Sequence, residues 1–244
     1  SALYLLSTAL LARRLAQAGP GLPLVVWAMP AIATLLHAAA HLLAWREAGG
    51  VNLHVFSALS LVALGMAALT LLVGARGRMA ALGVIVFPIA AVMLLAYGLF
   101  GRHDPKPMDW RVQLHAWCAL LAYATLAIAA LLATLSWAQE RALRKRNLKG
   151  WLRALPPLVE LETLLFRTIA VGFILLTAAL LTGVLFIEDL LAQHLAHKTV
   201  FSVLSWLAFG ALLLGRWRYG WRGAKALRWT LIAMALLLLA FFGS

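Results

Sequence analysis

Cysteine is nearly absent. Cys118 stands alone in 244 residues, which excludes an internal disulfide, and without a C-x-x-C or C-x-x-C-H there is no dithiol exchange and no covalent c-type haem attachment. Acid is scarce too: 8 Asp and Glu stand against 21 Lys and Arg. No Asp, Glu, Lys or Arg lies well inside an apolar segment, where ion-coupled transporters and proton relays usually place ionisable groups, so a small-molecule or ion transporter ranks last among the function classes. Nor is there a phosphate-binding loop, a dinucleotide glycine fingerprint, an H-E-x-x-H or a G-x-S-x-G. Soluble-enzyme chemistry has no foothold, and no enzymatic activity is expected.

What is abundant is apolar surface. Hydrophobic residues make up 64% of the chain, charged residues 12%, and the mean hydropathy is +0.94, whereas a soluble domain is only ~45–50% apolar. The composition is that of an integral membrane protein. Eight apolar segments, at residues 1–12, 23–43, 53–73, 79–99, 111–137, 165–187, 198–215 and 229–244, predict an all-α, polytopic, single domain over residues 1–244. Most approach or exceed the ~20 residues that cross hydrocarbon as a helix. The first and last are short, the chain begins without Met and it ends inside an apolar run, so the first segment is expected to be a truncated helix rather than a signal peptide.

Basic residues orient the spans. One set of alternate connections holds Arg13, Arg14, Arg76, Arg78, Arg141, Arg144, Lys145, Arg146, Lys149, Arg153, Arg167, Arg216, Arg218, Arg222, Lys225 and Arg228; the other holds only Arg46, Arg102, Lys106, Arg111 and Lys198. The positive-inside rule assigns the first set to the cytoplasm and both termini to the outer, periplasmic side of a bacterial inner membrane. Trp27, Trp137, Trp217 and Trp229 then fall at cytoplasmic ends, and Trp45 and Trp110 at outer ends, where amphipathic indoles belong. The net charge of +13 is a topology signal; no nucleic-acid partner is implied. The longest connection, residues 138–164, is basic and closes on Leu155-Pro156-Pro157. It predicts an extension of helix five, a turn at the prolines and an amphipathic lead-in to helix six, with membrane lipid as the partner of its basic face.

All seven histidines, His37, His41, His54, His103, His115, His194 and His197, fall on the outer side. Imidazole is a strong neutral ligand for haem iron or another metal. His37 and His41 lie a turn apart on one face of helix two, and His37 is about 12 Å below Trp45 at 1.5 Å per residue; His115 is about 7 Å below Trp110 on helix five. Two ligands of one haem must approach from opposite faces, so a cross-helix pair is required. His115 with His37 is the first choice and His115 with His41 the second. His197 is retained as a further cofactor contact, and Arg46 and Arg111 are the outer cations best suited to propionates. For His54, His103 and His194 an ordinary interfacial role is the better reading.

Several of these residues carry a family resemblance. Leu114-His115, followed by Tyr123-Ala124, resembles the L-H-x7-Y-A stretch of the CcsA-type cytochrome c assembly proteins. Trp45-Arg46-Glu47 with Gly49-Gly50, Glu160 to Arg167, Leu181-Thr182-Gly183-Val184, Lys198-Thr199 with Trp206, and Phe242-Gly243 follow in the family's order. The Arg216 to Arg228 loop, with Tyr219-Gly220-Trp221-Arg222-Gly223, is similar to the short, eight-helix YpjD and HemX-like branch. The resemblance implies haem handling at the outer face and matches His115 to the histidine that follows the family's tryptophan-rich loop. That loop has no counterpart: only Gly101 to Trp110 join helices four and five, and no W-G-x-x-W-x-W-D occurs. Haem ligation and haem delivery to an apocytochrome are therefore separate questions. The leading expectation is a non-enzymatic protein that holds b-type haem by bis-His ligation. The alternative is a haem-free accessory or scaffolding subunit bound to another membrane protein.

Overall fold

The apolar runs fold as eight α-helices in the computed structural model, which describes residues 1–16, 24–51, 53–74, 79–101, 108–146, 152, 155–186 and 193–242. They are α1 (Ala2–Ala16), α2 (Ala28–Ala48), α3 (Val55–Gly74), α4 (Ala80–Phe100), α5 (Trp110–Arg144), α6 (Leu158–Phe186), α7 (Gln193–Tyr219) and α8 (Gly223–Phe242). There is no strand among the described residues. The seven spans from α2 to α8 are long and apolar enough to cross a bilayer. Helix α1, at 15 residues, would extend about 22 Å at 1.5 Å per residue.

Helix ends extend beyond the hydropathy segments because a helix can continue past hydrocarbon on amphipathic sequence. Helix α6 begins at Leu158, immediately after Pro156-Pro157, and α5 runs on to Arg144. The expected helix-five extension and proline boundary are therefore both present. At 35 residues, α5 is about 52 Å long, well beyond the ~30 Å hydrocarbon core.

The helices group into two compact units. Unit 1 comprises residues 1–108 and 147–156, and unit 2 comprises residues 109–146 and 157–244. In unit 1, α4 packs on α1 and α3, while α2 packs on α1 and α3. Tyr4, Leu11, Leu82, Phe87 and Ala90 are fully buried there. Helix α2 carries Pro30 in its first turn, where a missing N–H costs nothing. It ends at Gly49 with φ +74°, where the N–H of Gly50 bonds Trp45 O at 3.0 Å.

In unit 2, α5 packs on α6 and α8, and α7 on α6 and α8. Leu126, Leu132, Leu161, Leu165, Ile169, Phe209 and Leu212 fill its interior. Gly172 lets α6 approach α5, since a methyl there would overlap the Leu126 side chain. At the turn into α8, Gly223 has φ +55° and faces the Glu140 carboxylate so closely that a Cβ there would push the carboxylate aside. The carboxylate thereby sits at the positive end of α8. Gly223→Ala is expected to cost about 1–3 kcal/mol from the left-handed backbone alone, read as a lowered melting temperature in detergent, with Asn at the same position costing less.

Candidate functional site

In unit 1, His37 and His41 occupy successive turns of one face of α2, and both rings are buried. Their Nε2 atoms converge on a single hydroxyl: Ser60 Oγ of α3 lies 2.9 Å from each. His37 Nδ1 is 3.3 Å from the Tyr4 hydroxyl, which is 3.3 Å from Thr34 Oγ1, and Thr34 donates to Pro30 O at 2.8 Å. Aromatic rings close the surroundings. Tyr97 stacks on His41 with centroids 4.3 Å apart, and Tyr4 lies edge-on to His37 at 5.9 Å.

The far end of this chain determines where every proton sits. A carbonyl only accepts, so the Thr34 hydrogen is committed to Pro30 and Thr34 must accept from Tyr4. Tyr4, having donated, can only accept from His37, which places the His37 proton on Nδ1. No carboxylate touches either ring among the described residues, and an unpaired buried charge is costly, so both imidazoles are neutral. His37 Nε2 then accepts from Ser60, and Ser60 accepts from His41 Nε2–H. The lone pair of His41 is left on Nδ1, which is buried and has no hydrogen-bond partner among the described residues.

In unit 2, His115 is half-buried one turn into α5. Its Nδ1 donates to Ala179 O of α6 at 2.9 Å, and the Thr182 hydroxyl lies 3.5 Å away. The same accounting leaves the lone pair on Nε2. Gly183 provides the space: a Cβ there would stand 3.2 Å from His115 Cε1. Arg111 lies one turn earlier on the same helix, exposed, with its guanidinium carbon 5.7 Å from the Trp110 ring centre and 5.8 Å from that of Phe186. Tyr123, the other polar residue of the L-H-x7-Y-A stretch, donates to Leu237 O of α8 at 3.0 Å.

The candidates thus fall into separate sets. His37, His41 and Arg46 belong to unit 1, and His115, Arg111 and His197 to unit 2. Arg46 is exposed on α2, and His197 is half-buried on α7. His103, Arg102 and Lys106, together with the side chain of His194, lie outside the described residues. Ser60, Tyr4, Thr34 and Tyr97 were not singled out from sequence. For Ser60 the available signal was one of three hydroxyls, with Ser57 and Thr70, in the apolar run of α3.

An iron porphyrin fits these donor sets unequally. A haem-ligating histidine commonly donates Nδ1–H to a backbone carbonyl and offers Nε2 to the metal, which is the arrangement of His115. His37 offers Nε2 as well, but only where Ser60 gives way. His41 offers Nδ1, the nitrogen crowded by its own Cβ, to a planar macrocycle.

The family model described as "Cytochrome C assembly protein" matches residues 26–244. The chain belongs to this family. Inner membrane protein YpjD of Escherichia coli is 30% identical over 202 residues, which cover 80% of this chain and 74% of that protein. An uncharacterised 28.8 kDa protein of Azospirillum brasilense is 34% identical over 168 residues, covering 64% of this chain and 62% of its own length. Cytochrome c biogenesis protein CcsA of Prochlorococcus marinus is 31% identical over 86 residues, or 34% of this chain and 28% of that one. No solved structure matches significantly. The family match and the seven apolar spans make this a multi-pass inner-membrane protein of the cytochrome c assembly family.

Proposed function

We propose that this chain is a non-enzymatic haem-handling protein that holds b-type haem near the outer face of the membrane, with His115 as an axial ligand. The observation that carries the reading is the hydrogen bond from His115 Nδ1–H to Ala179 O at 2.9 Å, which leaves Nε2 as the nitrogen on offer to a metal. Arg111, a turn away on the same helix, is a cation suited to a propionate. Within unit 1 the proton accounting favours His37 over His41 as a ligand, because Tyr4 holds its proton on Nδ1 and leaves the Nε2 lone pair to a metal once Ser60 gives way. Bound haem would supply a redox-active iron. His115 and Arg111 would hold it, and an apocytochrome is the proposed recipient.

The test is an absorption spectrum of protein purified in detergent after expression with added haem precursor, before and after dithionite. A Soret band with the sharp reduced α-band of bis-imidazole haem is expected. His115→Ala should remove most of it, and His37→Ala should convert it to a high-spin form. A wild-type protein without a Soret band would overturn the reading.

A second reading, a haem-free accessory subunit of another membrane protein, has one observation in its favour. His37 already has partners at both ring nitrogens, and His115 and Tyr123 both bond carbonyls of neighbouring helices, as polar residues do when they hold helices together in a bilayer. Stoichiometric co-purification of a partner, unchanged in the His37→Ala, His115→Ala double variant, would favour it.

A further inference from the structure

The basic end of unit 2 contains a feature that haem handling leaves unused. A cavity of about 260 Å³ lies between the end of α5 and the start of α8, lined by Trp137, Glu140, Arg141, Arg144 and Ala224. Its one acid is already engaged. Glu140 pairs with Arg144 through Nε at 3.1 Å and Nη2 at 2.8 Å, and its other oxygen faces Gly223 at the head of α8. Arg144 therefore still has N–H donors to offer. Arg141 has no carboxylate partner among the described residues; its guanidinium lies 5.4 Å from the Trp137 ring centre and is otherwise exposed.

The depth of the cavity identifies what reaches it. Trp110 and Trp137 sit on one continuous helix, about 40 Å apart at 1.5 Å per residue. That is close to the ~40–45 Å thickness of a bilayer with its headgroups. With Trp110 at one interface, Trp137 and the two arginines meet the headgroups of the other. Nearby cations add to the field: Arg218, Lys225 and Arg228 are exposed, and Lys225 Nζ lies 4.1 Å from the Trp221 ring centre. A second acid at this end, the buried Glu162, is paired with Arg222 at 2.6 Å. The surplus is cationic, the cavity opens at headgroup depth, and its Trp flank suits the glycerol and upper acyl region.

We propose that this cavity is a discrete binding site for an anionic phospholipid, with the phosphate held by Arg141 and Arg144 against Trp137. It differs from a diffuse basic face in being saturable and in depending on one unpaired guanidinium. Arg141 supplies planar donors for phosphate oxygens, and Glu140 stays at the head of α8, where its charge is already compensated.

Native mass spectrometry of the detergent-purified protein, titrated with phosphatidylglycerol or phosphatidylcholine, tests the site. One tightly retained phosphatidylglycerol per chain is expected, with phosphatidylcholine retained much less. Arg141→Gln should weaken retention about fivefold, the ratio for one basic side chain at an anionic surface. Arg141→Lys should recover part of the loss, and both variants should melt like the wild type without lipid. Equal retention of the two lipids, an Arg141→Gln variant that retains as the wild type does, or displacement of phosphatidylglycerol by equimolar inorganic phosphate would each overturn the proposal.

Discussion

Ser60→Ala is expected to destabilise unit 1 by about 2–4 kcal/mol, because a buried hydrogen-bonding atom left without its partner costs about 1–3 kcal/mol and this one hydroxyl serves two. Its Oγ lies 2.9 Å from Nε2 of both His37 and His41. Without it, His37 loses a donor and His41, already unpartnered at Nδ1, loses an acceptor. The loss should appear as a lower melting temperature in detergent. Pairing Ser60→Ala with His41→Phe distinguishes this cause from a simple cavity. Phe keeps the stack on Tyr97 and removes one stranded nitrogen, so the double variant should be less destabilised than the two single losses predict. Additive losses would show that Ser60 does not couple the two rings. Ser60→Thr, which keeps the hydroxyl, should lie closer to the wild type.

The second large effect lies in unit 2. Arg222 donates to Glu162 through Nε at 2.7 Å and Nη2 at 2.6 Å, while the Glu162 side chain is only 5% exposed and that of Arg222 is 51% exposed. Removing the arginine strands a buried carboxylate. A fully buried pair would lose about 3–5 kcal/mol on losing one partner. With Arg222 half in solvent, Arg222→Ala is expected to cost about 2–3 kcal/mol, discounted for screening. Replacing both residues, Glu162→Leu with Arg222→Ala, should restore most of that stability, since a buried pair exchanged for apolar packing is often neutral. A double variant as unstable as Arg222→Ala would show that the turn between α7 and α8, rather than the charge, carries the effect. The pair ties that turn to the first residues of α6.

The predictions at Ser60 and His115 share a cause with the proposed function. A neutral imidazole has one lone pair, and the partner of its N–H decides which nitrogen carries it. At His115 that partner is a main-chain carbonyl, at His37 a tyrosine hydroxyl and at His41 a serine hydroxyl. These three partners lead to three different expectations for metal ligation from side chains that look alike in the sequence.

Much of the architecture was legible in the residue order because hydropathy and helix length are local properties. Each apolar run from residue 23 to residue 244 became a helix long enough to span a bilayer. Pro156-Pro157 marked the start of α6, because proline constrains the backbone wherever it occurs. The histidines on α2 and α5 were identifiable as polar groups that hydrocarbon would reject without a partner. Those partners could not be read the same way. Ala179 is 64 positions from His115, and Ser60 is 23 from His37 and 19 from His41. Ala179 contributes a carbonyl, which every residue possesses and no sequence marks. Residue order determined a helical membrane protein with imidazoles at suitable depths, whereas helix packing alone decided which nitrogen of each ring is free, because a proton's place on imidazole depends on an atom brought close only by folding.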